Sequence, residues 1–231
     1  MKLAIMQPYL FPYLGYFQLI HSTDSFVIYD DVNFIKGGWI NRNCILVGQE
    51  RKRITLPLIS ASPNKLIKDI YFSPQHKILK TIYHAYSKAP NFKAVYPLIE
   101  EIFDFGTEKL SRFLGNQLRV LCSYLGMERK WVVSSEEIDY QNGLKGQERV
   151  LYICKKLNAK HYVNLPGGKS LYDRSEFEKN DLTLSFVQTE MVEYRQFKPK
   201  FEANLSIIDV MMFNDQAQCQ SLLKAYELVD A

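Results

Sequence analysis

The hydrophobic pattern of the N-terminal part of the chain predicts short strands separated by turns. Segments 2–6 and 26–28 each contain a short, continuous apolar run, as in strands of a buried sheet. Residues 43–47 and 52–58 are two further β-rich runs joined by the turn-like "GQE", which predicts a hairpin. Between the first two strands, the spacing over residues 13–23 predicts a helix.

The pattern changes to helical spacing between about residues 74 and 127. Ile78, Ile82 and Tyr86 recur every four residues, and Pro74 suits an early position in that helix. A later stretch places a longer apolar series on one helical face. Its members are Leu110, Phe113, Leu114, Leu118, Leu121 and Leu125. This region is therefore predicted to be a helical insert.

The C-terminal half returns to alternating strands and helices. Residues 130–138, 145–159 and 160–168 predict a strand–helix–strand unit, followed by a strand over 182–194 and a final helix over 205–214. The whole pattern predicts one α/β domain across the chain, with a Rossmann-like, mostly parallel sheet. In such sheets the carboxyl ends of the strands are the usual place for a binding site.

Composition narrows the class of protein. The 231 residues are 47% hydrophobic and 23% charged, which is typical of a soluble globular protein. No run approaches the roughly 18 apolar residues of a membrane span, and Gln7 and Pro8 interrupt the first run too early for a cleaved signal peptide. The net charge of +4 suits anionic metabolites and is too small to predict nucleic-acid binding. Four cysteines without a C-x-x-C motif predict buried, reduced thiols in a cytoplasmic protein.

Three loops after predicted strands carry side chains that suit anion recognition. They cover residues 7–16, 30–43 and 164–172. Glycines let backbone N–H groups approach an oxyanion, lysine supplies a point charge, and arginine supplies a fork of donors. We expect the three loops to meet at one cavity. The substrate-binding candidates are Gln7, Tyr9, Gly15, Trp39, Asn41, Arg42, Asn43, Asn164 and Gly168.

The catalytic candidates are Asp30, Asp31 and Lys36. A carboxylate can act as a base or a metal ligand, while a lysine can hold a phosphate or carboxylate group. Because adjacent residues of an extended strand point to opposite faces, we expect only one aspartate to reach the site, and we favour Asp31. Each feature also has a structural explanation: the aspartates can end a strand and cap a turn, and the nearby glycines can form a plain hairpin turn.

Four segments resemble the WbqC-like family of bacterial proteins: "MQPYLFPYLGYFQLI", "DDVNFIKGGWINRN", "KLNAKHYVNLPGG" and "LSIIDVMMFN". The resemblance extends over essentially the whole chain, although Asn33 stands where glutamine is expected in many members. It implies a transferase associated with gene clusters for O-antigen and other surface polysaccharides. The implied substrates are nucleotide-activated or amino sugars.

The leading hypothesis is transfer of an acyl or aminoacyl group to a nucleotide-linked amino sugar. One alternative is a nucleotidylyl- or adenylyl-transferring enzyme that uses ATP and Mg²⁺, since the strand–loop–helix opening distantly resembles the nucleotidylyltransferase superfamily. Residues 13–16 read "YLGY" where that superfamily has His-x-Gly-His, which puts adenylyl transfer in doubt. Another alternative is a non-catalytic partner in a polysaccharide assembly complex. The sequence leaves the donor, the acceptor, the cofactor and the oligomeric state open.

Overall fold

A computed structural model describes residues 1–73, 76–140 and 143–230. Within these ranges the strands are β1 (Lys2–Met6), β2 (Ser25–Ile28), β3 (Arg42–Val47), β4 (Glu50–Thr55), β5 (Leu58–Ile59), β6 (Tyr71–Phe72), β7 (Lys130–Val133), β8 (His161–Asn164), β9 (Thr183–Thr189) and β10 (Tyr226–Asp230). The helices are α1 (Leu14–His21), α2 (His76–Tyr86), α3 (Phe92–Phe103), α4 (Leu110–Tyr124), α5 (Ser134–Glu137), α6 (Gly146–Lys156), α7 (Arg174–Lys179), α8 (Ile207–Phe213) and α9 (Gln216–Lys224). Short 3₁₀ helices cover Ile67–Asp69 and Pro166–Leu171.

Six strands form one sheet in the order β10-β9-β8-β1-β2-β7. The strands from β9 to β7 are parallel, and β10 pairs antiparallel with β9. The chain runs outward from β1 through β2 to β7 and then returns to β8 on the other side of β1. The winding direction therefore switches beside β1, and the carboxyl ends of β1 and β8 flank the position where open α/β sheets bind ligands. The predicted mostly parallel α/β class is confirmed.

Helices cover both faces of this sheet. Ala4, Phe26 and Val163 belong to a core that also contains buried residues of α1, α8, α9 and the helices α2 to α4. Ile5 and Val27, their neighbours along the strands, belong to a second core shared with α6 and α7. Neighbouring residues belong to different cores because successive side chains of a strand point to opposite faces of the sheet.

The predicted hairpin and insert lie against the first of these cores. β3 and β4 pair antiparallel from Arg42–Thr55 to Val47–Glu50, which confirms the hairpin. The three helices α2 to α4 occupy the region predicted to be the helical insert. Pro74, assigned from the sequence to the start of its first helix, lies outside the described residues.

Two expectations for the C-terminal part were wrong. The strand predicted over 182–194 ends at Thr189, and the chain then leaves the sheet as an irregular segment up to α8. The helix predicted to be the last is followed by α9 and β10. α9 begins with a capping box between Asp215 and Gln218, and β10 is a short edge strand of mixed polarity. Such short elements carry a weak periodic signal.

The four cysteines are buried and unpaired, as the sequence predicted. Burial raises the pKa of the Cys154 thiol to about 12, so this group stays protonated near neutral pH. None of the described helices combines the length and apolar character needed to cross a bilayer.

Candidate functional site

The loop after β1 holds a bulky residue in a rarely adopted backbone conformation. Phe11 has a φ of 41°, in the left-handed region, where such a residue costs on the order of 1–3 kcal/mol. Its N–H donates to Gln117 Oε1 at 3.0 Å, and its carbonyl accepts from Ser206 Oγ at 2.8 Å and Asn43 Nδ2 at 2.6 Å. Strain of this kind persists where surrounding groups enforce it, and it clusters at functional sites. The loop is therefore a candidate site.

A cleft of about 300 Å³ opens beside this loop, and we call it the aromatic cleft. It is lined by Tyr9, Pro12, Tyr13, Trp39, Asn43, Arg51 and Asn204. The Trp39 side chain is 47% exposed, which is unusual for a residue of its size. The first two of the three predicted loops thus meet here.

Tyr9 and Tyr13 both line the aromatic cleft, and neither hydroxyl group has a hydrogen-bond partner among the described residues. Neighbouring Tyr16, in contrast, donates its hydroxyl to the Gln7 carbonyl at 2.7 Å. Burial raises the pKa of both cleft tyrosines, and for Tyr13 the nearby Tyr9 adds to the effect. Both phenols therefore stay protonated at neutral pH and can donate hydrogen bonds to a ligand.

Arg42 is the predicted cation that lies close to the aromatic cleft. Its guanidinium carbon lies 6.0 Å from the centre of the Trp39 ring. Its Nε is buried and has no hydrogen-bond partner among the described residues, although buried donors are nearly always paired. Lys36 is exposed on the same loop, three residues before Trp39. Arg42 therefore places positive charge at the tryptophan side of the cleft.

Arg51 forms part of the opposite wall and is engaged with the segment that follows β9. Its guanidinium donates to the carbonyls of Ala203 and Asn204 at 3.3 and 3.4 Å, and it pairs with Glu202 at 3.4 Å. Lys198 approaches the same carboxylate at 2.9 Å. These contacts hold residues 202–204 against β4, and Asn204 lines the aromatic cleft beside Arg51.

Asn41 and Asn43, both predicted to bind substrate, use their amides to hold the backbone. Asn41 Nδ2 donates to the Leu56 carbonyl at 2.8 Å. Asn43 Nδ2 donates to the Leu10 and Phe11 carbonyls at 3.0 and 2.6 Å, and its Oδ1 accepts from the Cys44 N–H. Asn43 lines the aromatic cleft, but its polar atoms are already bonded to the protein.

The carboxylate of Asp30 is buried and extensively hydrogen-bonded. It accepts bonds from Ser134 Oγ at 3.2 Å, from Ser135 N–H at 3.1 Å and Oγ at 2.9 Å, and from Ser111 Oγ. These serines lie at the starts of α5 and α4, where a negative charge is favourable. Asp30 therefore joins the end of β2 to two helix N-termini.

Asp31 forms a buried ion pair with Arg149 of α6. Arg149 Nη2 donates to Asp31 Oδ2 at 2.5 Å, and Nη1 donates to the Asp31 carbonyl at 3.2 Å. Ser134 Oγ donates to the other carboxylate oxygen at 2.5 Å. The guanidinium carbon of Arg149 lies 3.9 Å from the centre of the Tyr140 ring. We refer to Asp30, Asp31, Ser111, Ser134, Ser135 and Arg149 as the acidic cluster.

The expectation that the two aspartates point to opposite faces was wrong. β2 ends at Ile28, so Asp30 and Asp31 lie in the loop beyond it and are free of the strand's alternation. Both carboxylates contact the same Ser134 hydroxyl. Among the described residues no group of three His, Cys, Asp or Glu side chains is arranged to hold a metal ion. Because serine and arginine donors already occupy the carboxylate oxygens, this arrangement does not fit Mg²⁺ coordination by the two aspartates.

The third predicted loop contacts a different set of residues. Asn164 Nδ2 donates to Tyr172 Oη at 3.1 Å, and Tyr162 and Tyr172 share a hydrogen bond of 3.0 Å. A Cβ added to Gly168 would lie 2.7 Å from Asn164 Nδ2, so the glycine permits this close approach. Tyr162 and Tyr172 pack in the core under α6 and α7, on the face of the sheet opposite to the core of the aromatic cleft. The three loops therefore do not form one cavity.

Gly15 and Gln7 support the first loop. A Cβ on Gly15 would lie 2.5 Å from Cε2 of Tyr13, so the absence of a side chain lets the Tyr13 ring lie over the start of α1. Tyr13 is the N-cap of α1 and makes no side-chain capping bond. Gln7 contributes its carbonyl to Tyr16, and its side chain is half-buried.

Several residues of these sites were not predicted from the sequence. Arg51 lies in the basic run of β4, and it reaches the aromatic cleft through the hairpin register that pairs it with Leu46. Asn204 and Arg149 are distant in sequence from the residues they contact. No local pattern marks them, because their positions depend on how the strands and the irregular segment fold together.

The sheet and the aromatic cleft define the protein as an α/β protein with a ligand-sized cleft beyond the carboxyl end of its first parallel strand. The chain belongs to the WbqC-like protein family, whose model matches residues 7–221, and the predicted resemblance is confirmed. It is 28% identical over 231 residues to "Uncharacterized protein Rv1507c" of Mycobacterium tuberculosis (strain ATCC 25618 / H37Rv), covering 96% of this chain and 97% of that protein. No solved structure matches the chain.

Proposed function

We propose that the protein is a transferase of bacterial surface-polysaccharide (O-antigen) biosynthesis, acting as one domain in the cytoplasm. It moves an acyl or aminoacyl group to the amino group of a nucleotide-linked amino sugar. The observation that carries this proposal is the aromatic cleft, where an exposed tryptophan, two unbonded phenols and a nearby arginine adjoin one cavity. Membership of the WbqC-like family supports bacterial surface sugars as the substrate class, as the resemblance implies.

In this proposal Trp39 and Tyr9 stack on the sugar or the base, because aromatic faces bind flat rings with little loss of conformational freedom. Arg42 and Lys36 hold the phosphates. The buried Nε of Arg42 gains a partner on binding, which removes the cost of leaving it unpaired. Ligand binding thus completes a hydrogen-bond set that the protein alone leaves open.

The chemistry is an acyl substitution on an activated donor such as a thioester. The amine nitrogen of the sugar bonds to the acyl carbon, the carbon–sulfur bond breaks, and the nitrogen loses a proton as the thiolate gains one. The protonated phenols of Tyr9 and Tyr13 are suited to stabilise the oxyanion that develops on the acyl oxygen. Asp30 and Asp31 have a structural role in this proposal and no role in the chemistry, because their oxygens are already bonded to the protein.

A nucleotidylyl- or adenylyl-transferring enzyme using ATP and Mg²⁺ is the second candidate. It is favoured by the start of α1, which follows the loop after β1 and lacks a side-chain cap, since helix N-termini bind phosphates. It also accords with the predicted resemblance to the nucleotidylyltransferase superfamily. Stabilisation against heat by ATP only in the presence of Mg²⁺ would favour this candidate over acyl transfer.

The test of the leading proposal is calorimetric titration with nucleotide sugars. Trp39→Ala is expected to weaken binding by about 1–3 kcal/mol, or roughly fivefold to 150-fold, through loss of stacking. Arg42→Ala should weaken nucleotide-sugar binding more at low salt than at high salt, because salt screens charge interactions. Phe105→Ala, at an aromatic residue that is 48% exposed, is the matched control and should bind as the wild type does. Unchanged binding by both cleft variants would exclude the proposed site. If neither ATP nor any nucleotide sugar binds, the hypothesis of a non-catalytic partner in a polysaccharide assembly complex is favoured.

A further inference from the structure

A second, smaller cavity adjoins the aromatic cleft and shares Tyr13 and Asn204 with it. It has a volume of about 100 Å³ and lies between the start of α1 and the irregular segment after β9. We call it the apolar groove, and its wall includes Leu14, Val192, Ala203, Leu205 and Val210. The two cavities therefore lie next to each other, with Tyr13 and Asn204 between them.

The chemistry of the apolar groove differs from that of the aromatic cleft. Leu205 and Val210 are buried, and Leu14 and Ala203 are half-buried. The described residues that line the groove include no lysine or arginine, and their one carboxylate, Glu190, is exposed at the rim. A charged ammonium held among the apolar side chains of the groove would lose its hydration, and exposed Glu190 is the one carboxylate that the described lining offers it. A hydrocarbon chain would gain from burial.

We infer that the apolar groove binds the hydrocarbon chain of the transferred group, so that the donor is a short-chain acyl donor rather than an aminoacyl donor. This inference rests on the proposed function. A volume of about 100 Å³ holds about three water-sized groups, and a methylene is of similar size. The groove therefore accommodates an acyl chain of about four carbons, with its carbonyl next to Tyr13.

The test measures binding of the transfer product by calorimetry. The ligands are UDP-glucosamine and its N-acetyl, N-propionyl, N-butyryl, N-hexanoyl and N-glycyl derivatives. Each methylene up to the butyryl chain should tighten binding about fourfold, as expected for burial of one such group. The hexanoyl derivative should gain little more, since its end leaves the groove, and the N-glycyl derivative should bind more weakly than the N-propionyl one.

Ala203→Leu fills the groove and should abolish the dependence on chain length while UDP-glucosamine still binds. Ala217→Leu, at an exposed position of α9, adds the same volume elsewhere and should leave the dependence intact. If Ala203→Leu does not fold, Val192→Ser at a 40% exposed position should lower the gain per methylene instead. Equal binding of all N-acyl derivatives, or tighter binding of the N-glycyl one, would overturn the inference alone. Absence of binding by the whole series would overturn the proposed function with it.

Discussion

The aromatic cleft and the acidic cluster both follow the ends of parallel strands, yet they use their polar groups in opposite ways. In the aromatic cleft the hydroxyls of Tyr9 and Tyr13 are without partners among the described residues, as is the Nε of nearby Arg42. In the acidic cluster the carboxylates of Asp30 and Asp31 accept bonds on both of their oxygens. The Nε of Arg149 in the acidic cluster is also buried without a partner among the described residues, so the difference between the two regions lies in the phenols and the carboxylates. The phenols beside the cleft have no partner, whereas the carboxylate oxygens are already bonded.

This comparison changes the role assigned to the paired aspartates, from a catalytic one to a structural one. In sequence, two adjacent carboxylates after a strand suggest a base or a metal site. In the structure they connect β2 with α4, α5 and α6, through Ser111, Ser134 and Arg149. Charged groups buried to this degree serve the fold when they are fully paired and are costly when one partner is lost.

The largest expected effect is on stability, from Asp31→Ala. Removing this carboxylate leaves the half-buried Arg149 guanidinium without its ion pair, and such losses cost about 3–5 kcal/mol. We expect a decrease of that size in the free energy of unfolding, measured by urea denaturation. At a temperature where the variant is folded, it should bind nucleotide sugars with nearly the affinity of the wild type.

The double variant Asp31→Ala with Arg149→Met separates the ion pair from the rest of the acidic cluster. Because the uncompensated charge is then absent, it should recover part of the stability lost in the single variant. Asp69→Ala, whose carboxylate is 53% exposed, is the control and should change stability by less than about 0.5 kcal/mol. A single variant that is fully stable and loses ligand binding would mean that Asp31 acts in catalysis or binding.

Asp209 extends the comparison to a buried carboxylate that has neutral donors around it. Tyr86 Oη donates to Oδ1 at 2.7 Å, while Tyr194 Oη and Gln196 Nε2 each donate to Oδ2 at 2.8 Å. The last two belong to the irregular segment that forms a wall of the apolar groove. Burial raises the pKa of Asp209 even though its three hydrogen bonds act in the opposite direction.

The raised pKa has a defined consequence for stability. The folded protein binds a proton at Asp209 more readily than the unfolded chain does, so this group favours folding at low pH and loses that contribution as the pH rises through its raised pKa. Wild type should gain stability relative to Asp209→Asn as the pH falls toward the ordinary carboxyl value near 3.9, by up to about 1.4 kcal/mol per pH unit. Urea denaturation of both proteins across this range measures the difference. A difference independent of pH would contradict the prediction.

The fold class was predictable because it depends on short-range patterns. Apolar runs identified β1 and β2, and helical spacing identified α2 and α4. The end of β9 was misplaced because "EMVEY" contains apolar and β-favouring residues, although residues beyond Thr189 have no partner in the sheet. Pairing with β10, which determines where the strand ends, is a long-range interaction that periodicity does not encode.

The candidate site was predictable only in part, for the same reason. The unusual composition of the first two loops indicated Tyr9, Trp39 and Arg42, which lie together. Asn164 is the last residue of β8, and its side chain lies on the same face as that of Tyr162, where it bonds to Tyr172. Which face of the sheet a given core covers depends on long-range packing that no local pattern reports. Whether a polar residue is engaged by the protein depends on partners such as Ser134, more than 100 positions away from Asp30.

The smallest expected effect on stability, and a direct test of the aromatic cleft, comes from Gly15→Ala. The added methyl would lie 2.5 Å from Cε2 of Tyr13, so the ring must move, while alanine favours the helix by up to about 1 kcal/mol. The two effects oppose each other, and the free energy of unfolding should change by less than about 1 kcal/mol. Ligand affinity should nevertheless fall, because Tyr13 forms the boundary between the aromatic cleft and the apolar groove. Gly167→Ala is the control, because an added Cβ there meets no atom within 4 Å, and it should change neither stability nor affinity. A Gly15→Ala variant that binds N-butyryl-UDP-glucosamine as the wild type does would show that the position of the Tyr13 ring is irrelevant to binding.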